Sequence, residues 1–222
     1  MVGSAGPADA EVASSALLRA MLDPSPVPFR DSAHSAALGV ERALRAWATW
    51  RAGDPEQGHD LLVAHATEGF RNGTGLWKER GDGAGCADHS ATAALIPAAL
   101  LFGALGASAD APVGRLRLAP RVPARWNDVS ISGIRVGDAR VRLGYERNGR
   151  EHAFRITQES GRMPLMLIFE PDVAEAALER VQVDGVPAEL DCSSGGGRSR
   201  TRVQLPLDSA RMVTLVGREP AR

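Results

Sequence analysis

The sequence predicts an α+β chain with two unlike parts, a helical segment over residues 1–110 and an antiparallel β-sandwich over residues 111–222. The first part contains 25 alanines and the second 11. Charge also changes sign: acidic residues outnumber basic ones by 13 to 8 in the first part, whereas the second has 14 acidic and 18 basic residues. Apolar residues recur every three or four positions before the boundary and every second position after it. We therefore expect two domains that meet at Asp110.

Composition excludes several classes of protein. A formal net charge of −1 gives no overall field to attract nucleic acid or an acidic membrane. No apolar run approaches the ~20 residues of a membrane-spanning helix. Residues 1–20 lack the basic and apolar regions of a signal peptide, so we expect a cytoplasmic protein. Two cysteines, Cys86 and Cys192, are too few for a disulfide framework or a zinc ribbon.

The first part carries the start and stop signals of four helices. Asp54-Pro55 combines an N-cap with a first-turn proline, and Gly53 ends the helix before it. Pro97 lies inside the last predicted helix and should kink or break it. The four predicted spans are 10–22, 32–51, 55–70 and 88–105.

The second part alternates polar and apolar residues in short runs separated by glycine-containing turns such as Asp184-Gly185. About eight short strands at this spacing are typical of an antiparallel sandwich. The predicted strands are 115–118, 129–136, 140–145, 152–158, 164–169, 180–183, 201–205 and 212–216.

A glycine-rich segment, residues 72–90, has the residue types that carry chemistry. Trp77 can stack on a sugar ring, and a carboxylate such as Glu79 can hold a hydroxyl group or activate water. The segment lacks the Gly-x-x-x-x-Gly-Lys-[Ser/Thr] pattern of a phosphate-binding loop. Asp88-His89 has no second His or Cys cluster beside it, so no metal site is predicted. The pattern favours a carbohydrate ligand and implies no cofactor.

The segments Gly75-Leu76-Trp77-Lys78-Glu79 and Gly85-Cys86-Ala87-Asp88-His89-Ser90 resemble the end of an (α/α)6-toroid glycoside hydrolase of the six-hairpin superfamily. That superfamily includes α-L-rhamnosidases, glycogen-debranching-type α-glucosidases and trehalase-like enzymes. The resemblance covers about residues 30–145 and continues through Gly114–Pro120 and Ile134–Asp138. It implies a partial (α/α)6 toroid of about four helices, followed by the C-terminal β-sandwich of such an enzyme.

The resemblance also implies roles for four residues. Glu79 matches the general base of an inverting mechanism, which activates the water that attacks the anomeric carbon. Trp77 would stack on the sugar, and Asp88 and His89 would line the same end of the cleft. The general acid belongs to an earlier hairpin that is missing, and Asp31 is the only upstream alternative. The chain would then be a C-terminal fragment with little or no activity alone, because water activation without leaving-group protonation forfeits ~10²–10⁴ in rate.

Structural roles remain open for the same residues. Glu79 lies between Lys78 and Arg80 and can form an exposed ion pair. Trp77 can be core packing of the last hairpin, and Asp88 is as well suited to capping a helix as to binding a ligand.

Two other functions stay open. The first is a polysaccharide lyase fragment, although the absence of tyrosine from residues 1–110 counts against a lyase base there. The second is a non-catalytic carbohydrate-binding or structural protein. That alternative depends on aromatic residues of the second part, namely Trp126, Tyr145, Phe154 and Phe169. A partial toroid also leaves helix faces exposed, through which the chain would self-associate or bind its missing N-terminal half.

Overall fold

The computed structural model describes residues 39–71, 90–188 and 192–219. These separate into two compact units, the first ending at Ala104 and the second beginning at Leu105. Within the described residues, none of the helices combines the length and the apolarity needed to cross a membrane.

The described part of the first unit contains three α-helices: α1 (Gly39–Ala52), α2 (Pro55–Arg71) and α3 (Ser90–Ala98). Gly53 ends α1 at a φ of 100°, where an L side chain would be strained. The N–H of Asp54 donates to the carbonyl of Thr49, and that of Gly53 to Trp50, as in a Schellman motif. The predicted cap of α2 is confirmed, because Asp54 Oδ1 accepts a hydrogen bond from the N–H of Gln57 at 2.9 Å.

Gly58 and Trp50 set the packing of α1 against α2. Trp50 is fully buried, and a Cβ atom on Gly58 would lie 2.8 Å from the indole Cδ2. Glycine therefore lets the α2 backbone lie directly on the indole. Trp47, one turn earlier in α1, is 38% exposed.

The last predicted helix divides at its proline. The α-helix α3 contains Pro97 and ends at Ala98, and a π-helix follows at Ala99–Ala104. Proline has no N–H to donate to the carbonyl four residues earlier, so the α-helical ladder loses a bond at this point. A π-helical turn, in which hydrogen bonds join residues five positions apart, follows closely after the proline.

The second unit consists mainly of β-strands in three sheets. A four-stranded sheet has the order β1-β2-β6-β12, a three-stranded sheet β10-β11-β7, and a six-stranded sheet β3-β4-β5-β13-β8-β9. The strands are β1 (Ser108–Asp110), β2 (Arg115–Leu118), β3 (Asp128–Val136), β4 (Ala139–Asn148), β5 (Glu151–Ser160), β6 (Met166–Phe169), β7 (Asp172–Val173), β8 (Leu178–Val183), β9 (Val186–Pro187), β10 (Cys192–Gly195), β11 (Arg198–Thr201), β12 (Val203–Pro206) and β13 (Arg211–Gly217).

The buried faces of the four-stranded and six-stranded sheets share one apolar core. Phe154 on β5 and Phe169 on β6 are fully buried and meet edge to face, with ring centroids 5.2 Å apart. Tyr145 on β4 extends this contact, its ring 4.9 Å from that of Phe154. Aromatic pairs in such geometry stabilise a core beyond the area that they bury.

The predicted fold class, a partial (α/α)6 toroid of about four helices followed by an antiparallel β-sandwich, is wrong. The described residues contain three short α-helices and are mostly β, with thirteen strands in three sheets. The sheets are also not wholly antiparallel, because β2 pairs with β6 in parallel. Two physical reasons are visible. Pro97 shortens the last helix, and several strands are too short to show an alternating pattern.

Candidate functional site

The four residues predicted to bind or cleave carbohydrate, Trp77, Glu79, Asp88 and His89, lie outside the described residues. Asp31, the upstream alternative for a general acid, lies outside them as well. The structure describes the two helices that flank the predicted site: α2 ends at Arg71, and α3 begins at Ser90. Both helices pack on α1 within the first unit.

Three carboxylates of the second unit are nearly buried, and each is already bound to a basic side chain. Their exposed side-chain fractions are 12% for Glu170, 11% for Asp172 and 12% for Glu175. Because a general acid or base must reach the substrate, groups consumed in internal pairs are poor candidates for catalysis.

Two of these carboxylates are bound by arginines. Glu170 accepts a hydrogen bond from Nε of Arg117 at 2.9 Å. Asp172 accepts one from Nε of Arg198 at 2.7 Å and one from Arg200 at 3.3 Å. Arg198 also donates to the carbonyl oxygen of Val122 at 2.9 Å, which joins β11 to the connection between β2 and β3. These contacts hold loops and strand ends together.

Glu175 belongs to a buried chain of hydrogen bonds with Tyr145 and His152. The Tyr145 hydroxyl lies 2.8 Å from Nδ1 of His152, and Nε2 of His152 lies 3.2 Å from Oε1 of Glu175. Burial lowers the pKa of His152 below its usual value, although the hydrogen bond to Glu175 opposes the change. Burial also raises the pKa of Tyr145 to about 12, so the phenol keeps its proton.

Sequence reasoning missed this cluster. A structural role on a strand was expected for Tyr145, which was also one of the four aromatic residues that a carbohydrate-binding protein would need. Neither His152 nor Glu175 was singled out. One signal was present, since the turn after Asn148 pairs β4 with β5 and so brings Tyr145 and His152 to neighbouring strands. Glu175 lies in the connection between β7 and β8, and no local sequence pattern there indicates that it contacts His152.

Metal ligands do not cluster in the described ranges: no group of three or more His, Cys, Asp or Glu side chains there could hold a metal ion. Cys192 is exposed on β10.

No protein-family model matches the chain, and no curated protein matches it. Solved structures do match. The chain aligns with an α-L-rhamnosidase from Dictyoglumus thermophilum at a TM-score of 0.59 and 9% identity, over 80% of this chain and 21% of that one. The similarity shows a shared fold. The chain spans about a fifth of the length of that rhamnosidase.

Two further matches are also glycosidases. A GH127 β-L-arabinofuranosidase from Geobacillus stearothermophilus T6 aligns at a TM-score of 0.41 and 12% identity, over 83% of this chain and 32% of that one. An α-L-fucosidase isoenzyme 2 from Paenibacillus thiaminolyticus aligns at a TM-score of 0.27 and 15% identity, over 40% of this chain and 15% of that one. Both TM-scores are too low to support a conclusion about the fold.

Proposed function

We propose that the chain is part of a glycoside hydrolase that cleaves glycosidic bonds with inversion of configuration. The observation that carries the proposal is the alignment of 80% of the chain with an α-L-rhamnosidase at a TM-score of 0.59. The sequence of the segment between α2 and α3 supports it independently, because that segment combines an aromatic residue, carboxylates and glycines suited to a sugar.

In this proposal Glu79 is the general base. Its carboxylate removes a proton from the water that attacks the anomeric carbon, on the side of the sugar opposite the leaving group. Trp77 supplies an aromatic face for the sugar ring, and Asp88 and His89 bind its hydroxyl groups. Carbohydrate is then the substrate, and no cofactor takes part.

We further propose that the chain does not complete the reaction alone, because its general acid comes from outside it. The nearly buried carboxylates Glu170, Asp172 and Glu175 are occupied by Arg117, Arg198 and His152, which supports this view for the described part of the chain. Without an acid to protonate the leaving oxygen, an ordinary glycoside loses ~10²–10⁴ in rate.

The test uses substrates whose leaving group needs no protonation. The purified chain is given a panel of 2,4-dinitrophenyl glycosides, beginning with the α-L-rhamnoside, and the matching methyl glycosides. We expect hydrolysis of an activated glycoside alone, with a first product of inverted configuration by NMR. The E79Q variant should abolish it, and E146Q, which changes an exposed glutamate on β4, should not.

Each other result contradicts part of the proposal. Hydrolysis of methyl glycosides would show that a general acid is present. Hydrolysis unchanged in E79Q would remove Glu79 from the mechanism. No hydrolysis of any activated glycoside, together with sugar binding that W77A abolishes, would favour a non-catalytic carbohydrate-binding protein.

We also propose that the first unit associates through its exposed apolar side chains, either with a second copy or with further helices of the enzyme. Trp47, Val63 and Phe102 are 38%, 49% and 45% exposed, and the ring centroids of Trp47 and Phe102 lie 6.4 Å apart, so these two exposed rings are neighbours. Sedimentation velocity over a range of concentrations tests self-association. A monomer at all concentrations would contradict association between copies.

A further inference from the structure

The hydrogen bonds around His152 fix which ring nitrogen carries the proton. A carboxylate only accepts hydrogen bonds, so Nε2 of His152 must donate to Glu175 across 3.2 Å. In the neutral ring Nδ1 is then a bare acceptor, and the Tyr145 hydroxyl donates to it across 2.8 Å. Every polar atom of the imidazole is used in this tautomer. The arrangement is complete only while His152 is neutral.

A second proton on His152 changes the direction of one bond. Nδ1 would then carry a hydrogen that points at the Tyr145 oxygen, and the phenol hydrogen would need another acceptor. The cavity beside the Tyr145 ring, about 10 Å³, is lined by apolar groups that include Leu143 and Phe154. Water in so small a space needs two or more polar partners. Among the described residues, the only hydrogen-bond partner of the Tyr145 hydroxyl is His152.

The charged groups around His152 come from three places. Glu175, from the β7–β8 connection, favours the protonated ring, whereas Arg147 on β4 and Arg198 on β11 oppose it. Strand β13 brings no charge, since the residue opposite His152 is Leu215. Gly217 in β13 leaves room for the Glu175 carboxylate, which a Cβ atom at that position would strike.

We propose that Tyr145, His152 and Glu175 form a pH-sensitive latch in the second unit, closed while His152 is neutral and loosened when mild acid adds a second proton to its ring. The latch joins β4, β5 and the connection that carries Glu175. Arg147 extends it, because its guanidinium lies 3.7 Å from Oε1 of Glu175 and donates to the carbonyl oxygen of Ala124 at 2.7 Å, in the connection before β3. The inference does not depend on the proposed glycosidase activity.

The linkage between protonation and folding gives the direction in which stability changes with pH. The unfolded chain titrates this histidine at about 6.5, and burial holds the pKa of His152 lower in the folded chain. Between these two values the unfolded state binds more protons, so stability falls as the pH drops below about 6.5. For each pH unit by which the pKa of His152 in the folded chain lies below 6.5, the unfolding equilibrium constant rises by up to about tenfold.

The first test is NMR of the full chain. Nitrogen-15 shifts should show the tautomer with hydrogen on Nε2 at pH ~7.5, and the ring should titrate below ~6.5. A proton on Nδ1 in the neutral ring, or titration at or above ~6.5, would overturn the proposal.

The second test measures amide exchange in β4 and β5 at pH ~7.5 and ~5.5, corrected for the intrinsic rate. We expect protection to fall in acid for the native chain. H152Q, whose amide offers an acceptor and a donor that do not titrate, should show no such fall. H59Q changes a histidine of the first unit and should behave as the native chain does.

Equal protection of the native chain at the two pH values would refute the latch, and so would an unchanged acid effect in H152Q. If H152Q does not fold, E175Q replaces it. Removing that carboxylate charge should move the titration of His152 and the loss of protection to lower pH. An unmoved or raised titration in E175Q would also refute the latch.

Discussion

Replacing Gly58 with alanine sets two opposing effects against each other at the α1–α2 contact. A new Cβ atom would lie 2.8 Å from Cδ2 of Trp50 and 3.0 Å from its Cγ. The indole is fully buried, so it cannot turn into solvent to make room. The helices would have to move apart, or the ring would have to leave its preferred rotamer.

The relative size of these two effects decides whether G58A raises or lowers the free energy of unfolding. Alanine in a helix interior is favoured over glycine by ~1 kcal/mol. Overpacking a buried contact costs ~1–3 kcal/mol. We therefore expect G58A to lower the free energy of unfolding by about 1 kcal/mol, within a range of ~0–2 kcal/mol. In a W50L background the ring is gone, and G58A should instead raise the free energy of unfolding relative to W50L alone by up to ~1 kcal/mol.

Urea denaturation followed by the helical circular dichroism signal measures these changes, and the four proteins form a double-mutant cycle. G195A is a matched control, because a Cβ atom there meets nothing within 4 Å. It should change stability by less than about 0.5 kcal/mol. The reasoning would be refuted if G58A stabilised the native background as much as it stabilises W50L.

Two further changes test other elements. D54A removes the acceptor for the Gln57 N–H and should lower the free energy of unfolding, measured by urea denaturation, by about 1 kcal/mol. D128A, at an exposed aspartate, should lower it little. Similar losses in the two variants would contradict the capping role. F154A removes a ring from the aromatic core of the second unit and should lower the free energy of unfolding by ~3–5 kcal/mol. F102A, at a residue that is 45% exposed, should lower it by less than about 1 kcal/mol. Equal losses would argue against the shared core of the two sheets.

Local signals in the sequence predicted some of the elements. Asp54 and Pro55 mark the start of α2, because a cap and a first-turn proline act within one helical turn. Strands β4 and β5 follow from alternation of apolar residues and from the turn between them. The turn at Asp184-Gly185 was also predicted, and both residues have positive φ as the tight hairpin requires.

The sequence did not predict which strands pair when they lie far apart in the chain. The parallel pairing of β2 with β6 joins residues far apart in the chain, and nothing near Arg115–Leu118 specifies its partner. Strands β7 and β9 have two residues each, too few to show a period. The error about the toroid came from extending a local motif resemblance to a whole architecture.

The candidate site shows the same division. Trp77 and Glu79 were singled out by residue type within one loop, and their roles stay predictions. The cluster of Tyr145, His152 and Glu175 could not be assembled from sequence, because its third member reaches the others only when β7 and β8 are in place.

The position of β13 has a consequence for biosynthesis. It is the last described strand in the chain, yet it lies between β5 and β8 in the six-stranded sheet. During synthesis, β5 and β8 therefore leave the ribosome with unpaired edges and wait for residues 211–217 to fill the gap. Open strand edges of this kind bind other chains. Premature termination before residue 211 would leave both edges open permanently and make the shortened chain prone to aggregate through them.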